Sequence, residues 1–400
     1  MRVLTVGNMY PPLSLGGYEL AWQSSVEQLR SRGHQVEVLT TDYGLDEGPA
    51  PEGETGVHRE LRWYWHDHSF PPRSLRERLA IERANATVLR RRLDALRPDL
   101  VVWWSMGGMS LTLIERVRRA GIPAAGIVCD DWLLYGPDVD AWTRVWRGRR
   151  RLVAPAAEKL TGIPARIELL EGVGPVMFAS EALRAKARRR GVDPVVSEVG
   201  HRGVERHLFR AAARPDWSWR LVCVGRIDPR KGIDLAIDAL THLPEDATLA
   251  VVGGGDAAHL NELRELAAAR GLADRVTFGQ SDRDGLQDVY AGADVVLFPV
   301  VWEEPWGLVP LEAMAVGAPV VASGRGGSAE YLRDRENCLI FDVERGGEAL
   351  AGSVRELAAE PELRERVRTA GFETSGRLTV EAYDEAIERL LLAAAKRHAS

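Results

Sequence analysis

Leu221-Val222-Cys223-Val224-Gly225-Arg226-Ile227-Asp228-Pro229-Arg230-Lys231-Gly232 sets the fold class. Four apolar residues close on a glycine, two cations stand five positions apart, and a helical pattern opens at Gly232. An apolar run without alternation is what a strand buried on both faces looks like, as in parallel sheets covered by helices. The run predicts a strand, a polar turn and a helix, with Arg226 at the strand tip and Lys231 at the helix start. Two such cations suit a diphosphate, the guanidinium bonding in pairs and the ammonium acting as a point charge. Taken alone, they also fit two solvated cations in a polar loop.

The same grammar extends in both directions. After Arg220, residues 221–224, 248–252, 275–278, 295–298 and 319–322 read as strands, with helices over 232–240, 257–269 and 309–316. Before it, strands are expected over 3–6, 36–39, 100–103, 124–128 and 176–179, with helices over 18–32, 74–96 and 111–120. Glycine directly after the last periodic residue, as at Gly33 and Gly121, is a common helix stop. Alternating strands and helices imply parallel sheets with helices on both faces. The polar stretch Arg206–Trp219, containing Pro215, reads as a linker. The expectation is therefore two doubly wound, Rossmann-like α/β domains, 1–205 and 206–378, facing a central cleft. A terminal helix, 379–400, follows, read plainly as packed on the second domain, with the N-terminal domain as the alternative surface. Ligands should lie at the carboxyl ends of the strands.

Bulk properties exclude several classes. The 400 residues carry 52 Lys and Arg against 58 Asp and Glu, a net charge of −6 that offers nucleic acid no global basic field. Cys129, Cys223 and Cys338 are three scattered cysteines without metal spacing, so neither a disulfide framework nor a cysteine zinc site is expected. Met1 leads straight into a strand-like run rather than a signal peptide, and no apolar stretch reaches the ~18 residues a membrane span needs. A cytoplasmic protein is the expectation.

The second informative segment runs from Pro299 to Pro319: Pro-Val-Val-Trp-Glu-Glu-Pro-Trp-Gly-Leu-Val-Pro-Leu-Glu-Ala-Met-Ala-Val-Gly-Ala-Pro. Seven residues separate Glu304, in the loop after a strand, from Glu312, about one turn into a helix. Gly307 lets backbone approach a ligand, and a helix N-terminus offers N–H groups to an anion. A carboxylate set back in the helix can accept bonds from a ribose diol, as acidic residues do in dinucleotide sites.

These segments resemble glycosyltransferase family 4, retaining enzymes of GT-B architecture whose hallmark is a Glu, seven residues, then a second Glu followed by Ala-Met-Ala-x-Gly-x-Pro. Glu304 through Pro319 reproduces that run. Val224-Gly225-Arg226 with Lys231-Gly232, Val251 to Gly255, Val276 to Gly279, Asp294 and Gly326 to Glu330 also fit; the N-terminal half matches through Tyr10-Pro11-Pro12, Gly16-Gly17 and Arg32 to Val36. The resemblance implies a hexosyltransferase-like, metal-independent enzyme that moves a sugar from a nucleotide-diphosphate donor to a hydroxyl acceptor in polysaccharide, glycolipid or natural-product biosynthesis. It binds UDP, GDP, ADP or TDP sugars and requires no further cofactor. Arg226 and Lys231 would hold the diphosphate, Glu304 the donor sugar and Glu312 the ribose. Gly225 and backbone at Gly307, Leu308 and Val309 would complete the pocket, Gly16 and Gly17 would reach the phosphates, and the base would lie near Phe278. Fixed cations aimed at the leaving phosphate lower the barrier without a metal; no DxD-type carboxylate pair accompanies them.

The chain departs from the family at Cys129, where many relatives carry the His of a His-Asp-x-Trp motif. A thiol cannot replace an imidazole's hydrogen bonds or charge. Asp130 or Asp131 is then the candidate for sugar contact, beside the plainer reading of Cys129 as a small residue closing a strand. Trp142 to Arg151 couples aromatics with clustered Arg, which suits a solvated face, an anionic acceptor or weak peripheral contact with the inner membrane face. The aromatics of Arg62-Trp63-Tyr64-Trp65-His66-Asp67-His68 are candidates to stack on an acceptor, while His66 and His68, two apart, read as one face of an extended loop rather than a metal site. A sugar-nucleotide epimerase or donor-eliminating enzyme of the same fold is the alternative function, and a noncatalytic nucleotide-sugar binder a third. A dehydrogenase would need G-x-G-x-x-G after the first strand, where this chain has Gly7-Asn8-Met9-Tyr10-Pro11-Pro12.

Overall fold

The computed structural model describes the chain apart from residues 14–15, 46–50, 52, 67–68, 214–215 and 400, and apart from the side chains of 397–399. Two compact units emerge: Met1–Gly200 with Asp384–Ser400, and His201–Tyr383.

In the first unit, strands β1 (Arg2–Val6), β2 (Gln35–Thr41), β3 (Val57–Leu61), β4 (Leu100–Trp103), β5 (Ala124–Val128), β6 (Val176–Phe178) and β7 (Ser197–Val199) form a parallel sheet. Its order is β3-β2-β1-β4-β5-β6-β7. The central strands are apolar because both faces are covered: every residue of β4 is buried. Helix boundaries follow local chemistry. Ser74 caps the helix Leu75–Leu96 by accepting from the Glu77 amide, while the Glu77 carboxylate accepts from the Ser74 amide, which satisfies two otherwise orphaned donors.

In the second unit, β8 (Arg220–Val224), β9 (Thr248–Val252), β10 (Val276–Gly279), β11 (Val295–Phe298), β12 (Val320–Ala322) and β13 (Leu339–Ile340) are parallel in the order β10-β9-β8-β11-β12-β13. Its core gathers Leu221, Cys223, Leu249, Val251, Val295, Leu297 and Val321 from the strands with Ile237, Leu350 and Val354 from the covering helices. Each sheet reverses direction of growth once, at β1/β4 and at β8/β11. Such a switch point leaves a crevice at the carboxyl ends of the two strands.

The structure departs from the sequence reading in three places. Arg206–Trp219 is not a linker, because Phe209 is fully buried and packs 5.9 Å from Tyr290, and the Ala212 amide donates to Val316 O at 3.1 Å; Pro215 lies outside the described residues. The division falls after Gly200, and the chain rejoins the first unit at Asp384. There the Asp384 carboxylate accepts from Ser25 Oγ at 2.6 Å and Ser24 Oγ at 2.9 Å, on the helix Gly17–Ser31. Strands β3, β7 and β13 were not anticipated. β3 and β7 carry charges (His58-Arg59-Glu60, Glu198) and β13 is two residues long, as short, polar sheet edges often are.

Candidate functional site

The crevice of the second unit is built by the loops after β8 and β11. Gly225 leaves β8 with φ +137, and Asp228 accepts from the Arg230 amide at 3.0 Å to start the short turn Pro229–Lys231. Gly232 is required next: its φ is +65, and a Cβ there would sit 2.0 Å from Pro299 O. That close approach brings Lys231 to the loop after β11, where its Nζ donates to Glu304 Oε2 at 2.8 Å. Trp302 Nε1 donates to the same oxygen at 2.8 Å. The Lys231 ammonium lies 5.9 Å from the Trp302 ring and 6.0 Å from the Phe298 ring. Arg226 is 40% exposed, with Nε 3.9 Å from Asp228 Oδ2, so its guanidinium is available to an incoming anion. The hydrogen bonds from Arg230 hold the Asp228 carboxyl well below its ordinary pKa, and the Arg230 guanidinium lies 4.4 Å over Trp302.

Glu304 is fixed from the other side by backbone. Its carbonyl accepts from the Gly327 amide at 2.7 Å, and Gly326, at φ +67, leaves no room for a Cβ, which would fall 2.3 Å from Glu304 O. Gly307, Leu308 and Val309 lead into the helix Val309–Val316, whose first amides have no carbonyl four residues back. Tyr331 Oη donates to Gly307 O at 2.5 Å, and burial pushes the pKa of that phenol well up.

Glu312 sits in this helix, 2% exposed. Its Oε1 accepts from Arg283 Nη1 at 2.7 Å and its Oε2 from Tyr290 Oη at 2.8 Å. Arg283 also donates to Glu205 Oε2, from Nη2 at 2.6 Å and Nε at 3.0 Å, and lies 4.9 Å over the Phe209 ring. Burial opposes ionisation of Glu205, but Arg283 and Arg202 hold its carboxyl below the ordinary value. Glu205, Arg283 and Tyr290 were missed in the sequence, where the first two lie 78 positions apart and Arg283 stands in the polar run Ser281-Asp282-Arg283-Asp284-Gly285. His201 was missed as well. It stacks on Trp306 at 4.4 Å, and its Nε2 pairs with Glu330 at 2.9 Å.

Phe278 packs against the core of the second unit beneath the Arg264 guanidinium, 5.7 Å away. Its ring therefore faces inward, and Gly279, the exposed end of β10, is followed by the exposed Gln280.

In the first unit, Cys129, Asp130 and Asp131 follow β5. Cys129 is a half-buried thiol. Asp130 accepts from the Trp132 amide and from Tyr135 Oη, both at 3.1 Å, and Asp131 accepts from Lys186 Nζ at 2.6 Å. Gly16 is extended, at φ −176, and Gly17 opens the helix Gly17–Ser31. Trp63 and Trp65 stack at 4.6 Å with Tyr43 edge-on to both; His68 lies outside the described residues. In the Arg-rich stretch, Trp142 is buried and its Nε1 donates to Pro164 O at 2.8 Å. The exposed part is instead Arg147, Arg149, Arg150 and Arg151, with Leu152 and Leu160 at 86% and 87% exposure. Among the described residues no group of three or more His, Cys, Asp or Glu could hold a metal ion, and no helix is long and apolar enough to cross a membrane.

Two doubly wound α/β units, one with cations and carboxylates at its switch point, define the GT-B class of glycosyltransferases. Residues 205–374 match the profile described as Glycosyl transferases group 1, and residues 16–203 the Glycosyl transferase 4-like domain. The chain is 36% identical over 395 residues to the GDP-mannose-dependent alpha-(1-6)-phosphatidylinositol monomannoside mannosyltransferase of Mycobacterium tuberculosis, covering 95% of this chain and 94% of that protein. It is 35% identical to the D-inositol 3-phosphate glycosyltransferase of Mycobacteroides abscessus over 199 residues, so the match spans only 44% of that relative's length. Its fold is similar to sucrose-phosphate synthase from Thermosynechococcus elongatus (TM-score 0.74, 22% identity, 98% of each chain). The fold of Anabaena HepE, solved in complex with UDP-glucose, is also similar (TM-score 0.72, 20% identity, 98% of this chain and 99% of that one). The chain belongs to glycosyltransferase family 4.

Proposed function

We propose that this protein is a retaining glycosyltransferase that moves a hexose from a nucleoside-diphosphate donor to an acceptor hydroxyl. The observation that carries the reading is the Lys231–Glu304 pair at 2.8 Å, with the exposed Arg226 in the same loop as Lys231 and Glu312 eight positions after Glu304 in sequence. In the reaction the anomeric carbon–oxygen bond breaks and its electron pair leaves with the β-phosphate. The acceptor oxygen bonds to the anomeric carbon on the same face, and its proton passes to the departing phosphate. Lys231 and Arg226 stabilise the charge that develops on that phosphate, a fixed electrostatic contribution made in the transition state. Glu304 holds the sugar, Glu312 the ribose, and the amides of Leu308 and Val309 the phosphate and sugar oxygens. In the first unit, the Trp63–Trp65 stack contributes to acceptor binding.

GDP-mannose is the first donor to test and an inositol-containing or lipid-linked alcohol the first acceptor, because the relative aligned over 95% of the chain carries both in its name. The exposed Arg149, Arg150 and Arg151 beside Leu152 and Leu160 support weak docking on an anionic bilayer, cations meeting headgroups and leucines the acyl boundary. The experiment is incubation with GDP-, UDP-, ADP- and TDP-sugars, with and without acceptor, followed by mass spectrometry. A glycosylated acceptor of retained configuration is expected. Donor isomerised or eliminated without an acceptor product would favour the epimerase or elimination alternative.

A further inference from the structure

Glu312 is nearly inaccessible, and the side chain that covers it is charged. Arg283 bridges two carboxylates, Glu312 Oε1 at 2.7 Å and Glu205 Oε2 at 2.6 Å, while its guanidinium plane lies 4.9 Å over Phe209. Tyr290 Oη holds the remaining Glu312 oxygen at 2.8 Å and is itself fully buried. A carboxylate oxygen accepts more than one hydrogen bond, so each Glu312 oxygen keeps acceptor capacity beyond Arg283 and Tyr290. A buried carboxylate without a countercharge is costly and takes up a proton or turns away. The planar fork of Arg283 reaches both acids at once, which an ammonium cannot do.

From this geometry we infer that Arg283, anchored by Glu205, is the positioning residue that holds the Glu312 carboxylate oriented to accept the ribose hydroxyls of the donor nucleotide. This rests on the proposed ribose role of Glu312. Arg283 acts through Glu312, and Glu205 acts through Arg283. The donor thereby becomes specific for a ribonucleoside diphosphate rather than for any diphosphate the cations would attract. Arg202, which also donates to Glu205 at 3.3 Å, braces the anchor.

The experiment is calorimetric titration of the full chain with UDP, GDP and their 2′-deoxy and 3′-deoxy analogues. Unsubstituted protein is expected to prefer the ribonucleotide about tenfold or more, as charge-assisted hydrogen bonds to a hydroxyl imply. Arg283→Met is expected to reduce that preference at least fivefold while changing affinity for the deoxy analogues little. Glu205→Gln should produce a smaller reduction, and Arg283→Lys should restore part of the loss. A folded Arg283→Met protein with the original preference overturns the inference. If that variant fails to fold, unchanged preference in both Glu205→Gln and Arg283→Lys overturns it equally. Glu312→Gln separates the two levels. If it abolishes the preference while the Arg283 and Glu205 variants keep it, only the positioning role fails. If it leaves the preference intact, the ribose reading fails and the inference with it.

Discussion

Glu82 of the first unit and Glu312 of the second are both almost wholly removed from water, at 0% and 2% exposure. Glu82 accepts from three hydroxyls, Tyr64 Oη at 2.6 Å, Ser110 Oγ at 2.7 Å and Thr112 Oγ1 at 2.5 Å. Burial, reinforced by nearby Asp140, pushes its pKa up to about 7 despite those bonds. Glu312 accepts from a phenol too, but its second oxygen faces the Arg283 guanidinium. The difference separates a carboxyl that ties together a core from one paired with a guanidinium in the candidate donor site. Neutral donors satisfy lone pairs without replacing the solvation of the charge, whereas a guanidinium does both.

The largest expected effect breaks the second unit's side of this comparison. Lys231→Met should lower turnover about 100- to 1,000-fold, the range for removing a fixed charge from a developing oxyanion. Steady-state rates with the donor found by mass spectrometry check it, and a rate within threefold of the unsubstituted enzyme would refute the role of Lys231. Next, Glu312→Gln should weaken nucleoside-diphosphate binding about tenfold or more, read by calorimetry.

A smaller effect sharpens the first unit's side. The folded pKa of Glu82 lies above its ordinary value of 4.5, so its protonated form is favoured by folding. Its contribution to stability is therefore fully present below about pH 4.5 and is lost as pH rises through about 7. Urea unfolding at stepped pH should show Glu82→Gln with a flatter decline than the unsubstituted protein between those limits; parallel curves would reject it. Asp140, also buried and raised by burial, titrates with Glu82, so the Gln variant is read against the pair. The smallest effect is expected at Cys129. Cys129→His should shift donor preference a few-fold under competing donors, and identical product ratios for the His and Ala variants would make it a packing residue.

The units also differ in how much of them could be read from sequence. Central strands such as β4, β8 and β11 announce themselves because burial on both faces demands unbroken apolar residues. Edge strand β3, Val57-His58-Arg59-Glu60-Leu61, does not, because its charges belong to a sheet margin. The Arg226, Lys231, Glu304 and Glu312 set was legible because each lies at a fixed offset from a strand end or helix start. Arg283 and Glu205 were not, since their partnership spans 78 residues and each stands in polar sequence that looks like solvent-facing loop. Residues 206–219 misled for the same reason. Phe209 is its fully buried anchor, Trp217 and Trp219 pack on the core, and three scattered aromatics in a polar run carry no helix or strand periodicity. Nor did the sequence mark the partners of Asp130 and Asp131, which accept from Trp132, Tyr135 and Lys186.

The central claim is that the switch point of the second unit holds the donor nucleotide. Diffraction from crystals grown with GDP or UDP, whichever binds, tests it most directly. The account predicts the diphosphate against Arg226 and Lys231, and ribose hydroxyls within hydrogen-bond distance of Glu312 with Arg283 still paired to it. A nucleotide bound away from β8 and β11, or a ribose with no contact to Glu312, would contradict it.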